Sequence, residues 1–137
     1  MHTKHIIPFL MLALTALTTN VMAESFDGSK PLLCATVETI ECGPHAECQY
    51  GTADSLGFPQ FLHIDASKKN ISADKPDGTR LNAKISSLSK LDDRLVIQGI
   101  ENSLGWSVSI SRNTGRIAVA IAGDDITFMV FGACTVP

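Results

Sequence analysis

The sequence lacks the clusters of basic residues that bind nucleic acid or anionic membrane surfaces. Its longest basic run is Lys68-Lys69. If Lys4 is removed with a cleaved leader, ten of the 11 basic residues remain against 14 acidic ones, which leaves a formal charge of −4. Nucleic acid and anionic lipids would be repelled by this charge. The composition therefore argues against both classes of partner.

Long hydrophobic runs are also absent beyond residue 23, where no window approaches the roughly 20 apolar residues of a transmembrane helix. The one long apolar run, Ile6–Leu17, follows Lys4 and precedes the small-residue site Val21-Met22-Ala23. This order is typical of a signal peptide. We therefore expect a signal peptide over residues 1–23 and a single domain over residues 24–137. The mature protein is expected to be periplasmic or secreted, without membrane insertion.

Cysteine is sparse, but all four residues fall in the part expected to be exported: Cys34, Cys42, Cys48 and Cys134. An even count in an oxidising compartment predicts two disulfides. A zinc site fits less well, because the five residues between Cys42 and Cys48 exceed the gap of about two to four that structural zinc pairs use. Of three pairings, we favour Cys42 with Cys48 and Cys34 with Cys134. The second pair would join the first strand to the last.

Alternation of apolar and polar residues dominates the second half of the chain, from Arg94 to Thr135. In its clearest run, Leu104, Trp106, Val108 and Ile110 point to one face, which is the period of a half-buried strand. Counting all such runs gives about eight strands. We predict an all-β fold, a single small antiparallel barrel or flattened barrel or sandwich held by disulfides. The runs are 33–40, 61–65, 70–73, 81–88 and four within 94–135.

Other segments are less regular. Residues 24–30 are expected to form a loose arm, and residues 41–60 a long loop with no regular element. Residues 81–91 also permit a helix, although their serines disfavour it. Because alanine and glycine are frequent, we expect a narrow, packed interior with Trp106 in the core. A hollow interior that holds an apolar ligand is the alternative.

Two histidine and carboxylate pairs are candidate binding residues. His63 and Asp65 lie two residues apart on one predicted strand, so they share a face that suits a metal or a general base, or simply a solvated rim. His45 and Glu47 lie between Cys42 and Cys48, on a small loop that could serve as a contact surface. Neither pair comes with a catalytic or metal-binding motif, and we assign no catalytic residue, metal ligand or cofactor.

A third candidate lies around Gly99. A glycine inside a strand predicts a bulge or a close approach of the backbone to another group. Glu101 and Asn102 would then occupy the turn that leads into the Trp106 strand and are candidate binding residues. Ser107 nearly matches a nucleophile elbow, but it lies inside an alternating strand rather than at a strand-to-helix turn.

Several short motifs are spread over the part of the chain beyond residue 23. They are Cys34-Ala35-Thr36, residues 59–65, Gln98-Gly99 followed by Glu101-Asn102, Gly105-Trp106-Ser107, Thr114-Gly115 and the terminal Phe131-Gly132-Ala133-Cys134-Thr135. With these motifs the chain resembles a group of small, uncharacterised exported proteobacterial proteins, which implies location and architecture but no functional residue. In size, export and a barrel stapled near its end, it is also similar to periplasmic C-type lysozyme inhibitors, by analogy of fold.

These observations favour a non-enzymatic exported β-barrel protein that binds an envelope or extracellular protein, or a small apolar ligand. We expect it to be a monomer. A hydrolytic or metal-dependent enzyme that uses His63 and Asp65 is one alternative, and a structural envelope protein is another.

Overall fold

The computed structural model describes residues 25–137, so the predicted signal peptide lies outside the described residues. Residues 25–137 form nine strands and one short 3-10 helix, Asp54–Leu56. The strands are β1 Leu32–Cys42, β2 Gln49–Gly51, β3 Phe61–Asp65, β4 Asn70–Asp74, β5 Arg80–Lys90, β6 Arg94–Glu101, β7 Leu104–Ser111, β8 Arg116–Ala122 and β9 Thr127–Thr135.

The strands form a closed antiparallel barrel, which confirms the predicted fold class. Each of the strands from β3 to β8 pairs with the next one along the chain, and β1 closes the barrel by pairing with both β3 and β9. The short strand β2 lies outside this closed set of eight strands. It pairs only with the second half of β1, from Thr39 to Glu41, beside the start of β3.

Both predicted disulfides are present. Cys34 and Cys134 are direct cross-strand partners in the closing pair of strands, with Cα atoms 3.9 Å apart. This bond joins two points 100 residues apart in the chain. Cys42 and Cys48 close a small loop at the end of β1. The Cys34–Cys134 disulfide therefore links β1 to β9 at the seam, the strand pair that closes the barrel.

The alternation seen in the sequence becomes the division between the barrel interior and its outer surface. Leu95, Ile97, Val108 and Ile110 are buried, whereas their neighbours along the strands face outward. The helical reading of residues 81–91 is wrong, because residues 81–90 lie within the strand β5 and Leu91 follows its last residue. The main core consists of Phe26, Leu32, Cys34, Leu62, Ile64, Ile71, Ala73, Ala83, Ile85, Leu95, Ile97, Val108, Ile110, Ile117, Val119, Val130 and Cys134.

One end of the barrel, here the closed end, carries the turns 66–69, 91–93 and 112–115 and the arm 25–31. The prediction of a loose arm is wrong, because Phe26 is buried in the core and its backbone N–H donates to Arg112 O at 3.4 Å. A Cβ at Gly115 would lie 2.8 Å from the Phe26 ring. Because Gly115 has no side chain, the turn 112–115 leaves room for the Phe26 ring.

The opposite end, the open end, carries the turns 75–79, 102–103 and 123–126 and the long loop 43–60. The expectation of a wholly irregular loop is wrong, since the loop contains β2 and the 3-10 helix. Its strand pairing with β1 keeps the loop close to the barrel. Among residues 25–137, no helix has the length and apolarity to span a bilayer.

Candidate functional site: an apolar pocket at the open end

The open end contains an apolar cavity of about 210 Å³, which is lined by residues of strands β3 to β9 and of the long loop. Its buried lining comes from inward-facing strand residues, and its half-buried lining from larger side chains nearer the turns. The buried group is Leu62, Ile71, Ala83, Val108 and Val119, and the half-buried group is Leu81, Leu104, Trp106, Ile121 and Phe128. A preformed apolar concavity of this kind is the usual form of a small-molecule site.

Trp106 owes its position in the wall to Gly99. The two residues are cross-strand partners on β7 and β6, and an ideal Cβ on Gly99 would overlap the indole ring. It would also lie 2.6 Å from the backbone oxygen of Lys84. The predicted close approach at Gly99 is confirmed, and the predicted bulge lies opposite it, where the register of β5 shifts between Ile85 and Ser87. Trp106 is half-buried and packs against the core.

A short segment of the long loop, the roof, covers the cavity with Leu56, Gly57, Phe58 and Pro59. The Phe58 backbone N–H donates to Ala53 O at 2.8 Å, and Ala53 is 1% exposed. Thr36 of β1 holds the other end of the roof, because its hydroxyl donates to Pro59 O at 2.7 Å. The Ala53 hydrogen bond therefore holds the roof within the long loop, and the Thr36 hydrogen bond ties it to the barrel.

Polar side chains reach the cavity at its mouth: Lys75, Glu101 and Asn102. Lys75 continues the inward alternation of Ile71 and Ala73, and Glu101 is the last inward-facing residue of β6. Asn102 and Ser103 form the next turn with φ of 50° and 65°. Both residues therefore have the left-handed backbone that the tight hairpin turn requires. A non-glycine residue in this conformation is strained, and such strain is common at functional sites.

The expectation of a narrow, packed interior is therefore wrong for the open end. The small inward-facing residues that suggested a narrow barrel contribute little volume here. Gly99 accommodates Trp106, and Ala83 leaves space beside it. The closed end is packed as expected, with Leu95, Ile97 and Ile110 fully buried.

His63 and Asp65 share the outer face of β3, away from the cavity lining. The Asp65 carboxylate accepts hydrogen bonds from the Ser67 hydroxyl at 2.6 Å and from the Lys68 backbone N–H at 3.0 Å. The Ser67 hydrogen bond first, and then the Lys68 backbone N–H, hold the pKa of Asp65 below its ordinary value. Asp65 thus organises the β3–β4 turn, and within the described residues no hydrogen bond orients His63 toward it.

His45 and Glu47 lie on the exposed loop between Cys42 and Cys48, and His45 has a φ of 60°. Neither residue lines the cavity. Of the candidate residues from the sequence, the structure brings Glu101 and Asn102 to the cavity and leaves His45, Glu47, His63 and Asp65 on other surfaces. Residues 25–137 contain no group of three or more histidine, cysteine, aspartate or glutamate side chains that could hold a metal ion.

Sequence reasoning missed the roof and Lys75. The roof shows no periodicity, so nothing in its sequence indicates that it crosses the barrel. Lys75 could have been found, because Ile71, Ala73 and Lys75 alternate along one strand face.

A second exposed feature, the outer apolar face, crosses the seam of the barrel. It consists of Val37, Tyr50, Phe61, Met129 and Phe131, which are 38% to 70% exposed. The strand register brings Tyr50 and Met129 together, because Ile40 pairs with both, and Phe131 lies two residues beyond Met129 on β9. Exposed apolar clusters of this kind mark interaction sites more often than scattered single residues do.

No protein-family model matches the chain, and no curated protein matches it at a significant level.

Proposed function

We propose that this protein is an exported, non-enzymatic β-barrel that binds a small apolar ligand in the pocket at its open end. The observation that carries the proposal is the cavity itself, which is lined by apolar side chains with Trp106 in its wall and polar groups only at its mouth. Export is supported by the two disulfides, since such bonds persist in oxidising compartments. The resemblance to small exported proteobacterial proteins is consistent with this location.

The cavity volume sets the size of the ligand. An engineered apolar cavity of about 150 Å³ holds benzene. In proportion, the cavity of about 210 Å³ holds an apolar group of about eight carbon-sized atoms. A short alkyl chain or a single substituted ring fits this volume. A full-length fatty acid would extend through the mouth.

The fluorescence of Trp106, the only tryptophan, provides the test. We expect 1-hexanol to shift its emission to the blue with a dissociation constant of about 1 mM, which corresponds to about 0.6 kcal/mol for each non-hydrogen atom. Ala83→Leu fills the cavity from the wall and should abolish the shift. Ala120→Leu, on the outer surface of β8, is the matched control and should leave the shift unchanged. If 1-hexanol shifted the Trp106 emission of both variants equally, this result would contradict the proposal.

Binding a protein partner is the second candidate function, favoured by the outer apolar face. Replacing Phe131 and Met129 by serine should reduce capture of a specific protein from periplasmic extract by at least about tenfold if that face is the contact. Ile100→Ser, at a position that is 70% exposed on β6, is the control and should capture the same protein as the wild type. If the wild type, the variant with serine at positions 129 and 131, and Ile100→Ser all captured the same amount of this protein, the outer apolar face would be excluded as the contact.

The hydrolytic alternative is tested at His63. His63→Ala should leave every measured activity unchanged, because His63 lies on the outer face of β3 and not in the cavity. Loss of a hydrolytic activity in a folded His63→Ala variant would favour the enzyme instead.

A further inference from the structure

The mouth of the pocket carries one charge of each sign. Lys75 and Glu101 both line the cavity and both are half-buried. Neither residue takes part in an ion pair within residues 25–137. Each therefore has free hydrogen-bonding capacity at the boundary between the apolar cavity and solvent. The ammonium group of Lys75 can only donate, and the carboxylate of Glu101 can only accept.

From this arrangement we infer that the ligand ends in an uncharged group that both accepts and donates hydrogen bonds, such as a primary amide or an alcohol. This inference rests on the proposed ligand-binding function. An amide oxygen can accept from Lys75 while its NH₂ group donates to Glu101. Hydrogen bonds to charged partners are stronger than those between neutral groups. A neutral head group also adds no third charge to the half-buried mouth.

A ligand carboxylate suits the mouth less well. Attraction to Lys75 would be offset by repulsion from Glu101, and Lys75 also lines a second concavity together with the carboxylates Asp54 and Asp74. The chain is also acidic overall, with 14 acidic residues against 11 basic ones. A ligand ammonium group meets the opposite problem at Lys75. The charges at the mouth thus select against both kinds of ion.

Four probes with the same six-carbon chain separate these cases: hexanamide, 1-hexanol, hexanoate and hexylammonium. At neutral pH, with Trp106 emission as the readout, we expect hexanamide to bind about tenfold more tightly than hexanoate, which is the difference that one hydrogen bond to a charged group supplies. 1-Hexanol should lie close to hexanamide, and hexylammonium close to hexanoate.

Variants that remove one charge test whether Lys75 and Glu101 cause the selectivity among the four probes. Glu101→Gln should strengthen hexanoate binding by about tenfold, and Lys75→Met should weaken hexanoate further and strengthen hexylammonium. Glu47→Gln changes the net charge of the protein as Glu101→Gln does, but at a position outside the cavity lining. It should leave all four affinities unchanged.

The outcomes separate this inference from the function on which it rests. If the four probes bind equally, or if hexanoate binds best, the pocket is a binding site but the inference is overturned. An equal response of Glu101→Gln and Glu47→Gln would also overturn it, because the selectivity would then reflect net charge. If no probe binds, both the inference and the ligand-binding function fail.

Discussion

Gly99 and Trp106 form the residue pair on which the pocket wall depends. A methyl group at Gly99 would overlap the indole and would lie 2.6 Å from the Lys84 backbone oxygen, which cannot move without disturbing β5. We therefore expect Gly99→Ala to lower the free energy of unfolding by about 1 to 3 kcal/mol, as overpacking does. It should also shift Trp106 emission to the red as the ring is displaced.

Gly105→Ala is the matched control for this prediction, because the nearest atom to its added Cβ is 4.0 Å away, on the outer surface. Chemical denaturation followed by Trp106 fluorescence measures both variants. A Gly99→Ala variant as stable as Gly105→Ala would show that the indole does not lie against Gly99.

Asp65 makes a second prediction at the residue scale, because its lowered pKa links stability to pH. A carboxyl group with a lowered pKa in the folded state stabilises the protein above its ordinary pKa of 3.8, and this contribution disappears as the pH falls through the folded-state pKa. Asp65→Asn should therefore be less stable than the wild type at neutral pH, with a difference that shrinks in acid. Denaturation at several pH values measures this difference, with Asp124→Asn, at an exposed carboxylate in the β8–β9 turn, as the charge-matched control. A difference for Asp65→Asn that persists in strong acid would mean that its turn bonds do not depend on the charge.

At the scale of elements, the two disulfides should contribute unequally. In the chain-entropy model, a bond that closes a loop of 100 residues stabilises by about 4 to 5 kcal/mol, and one that closes a loop of six residues by about 2 kcal/mol. Replacing Cys34 and Cys134 by alanine should therefore lower the unfolding free energy more than replacing Cys42 and Cys48. A larger loss at the small loop would show that this loop, rather than the seam, limits stability.

The strands could be predicted from sequence because their signal is local. Phe61–Asp65 and Leu104–Ser111 alternate residue by residue, so their positions and buried faces follow from the period alone. Elements without a local signal could not be found this way. β2 has three residues, too few to show a period, and the burial of Phe26 depends on Gly115, which is distant in the chain.

At the scale of the whole molecule, the pocket was only partly predictable. The motif around Gly99 pointed to Glu101 and Asn102 because they sit in sequence beside an unusual strand glycine. The cavity itself arises from residues on seven strands and the roof, and no single stretch of sequence encodes it. Whether small inward-facing residues narrow a barrel or leave a cavity depends on its closed geometry, which composition does not specify.

The most direct test of ligand binding at the open end is a heteronuclear NMR titration of the ¹⁵N-labelled protein with 1-hexanol. The single indole N–H signal belongs to Trp106, whose Nε1 is buried without a hydrogen-bond partner within residues 25–137. We expect this signal and the backbone amides of Ala83 and Val119 to shift together and to saturate with one dissociation constant. Signals from Phe26 and Ile117, at the closed end, should stay in place. Shifts that fail to saturate, or that spread equally over both ends of the barrel, would contradict the account.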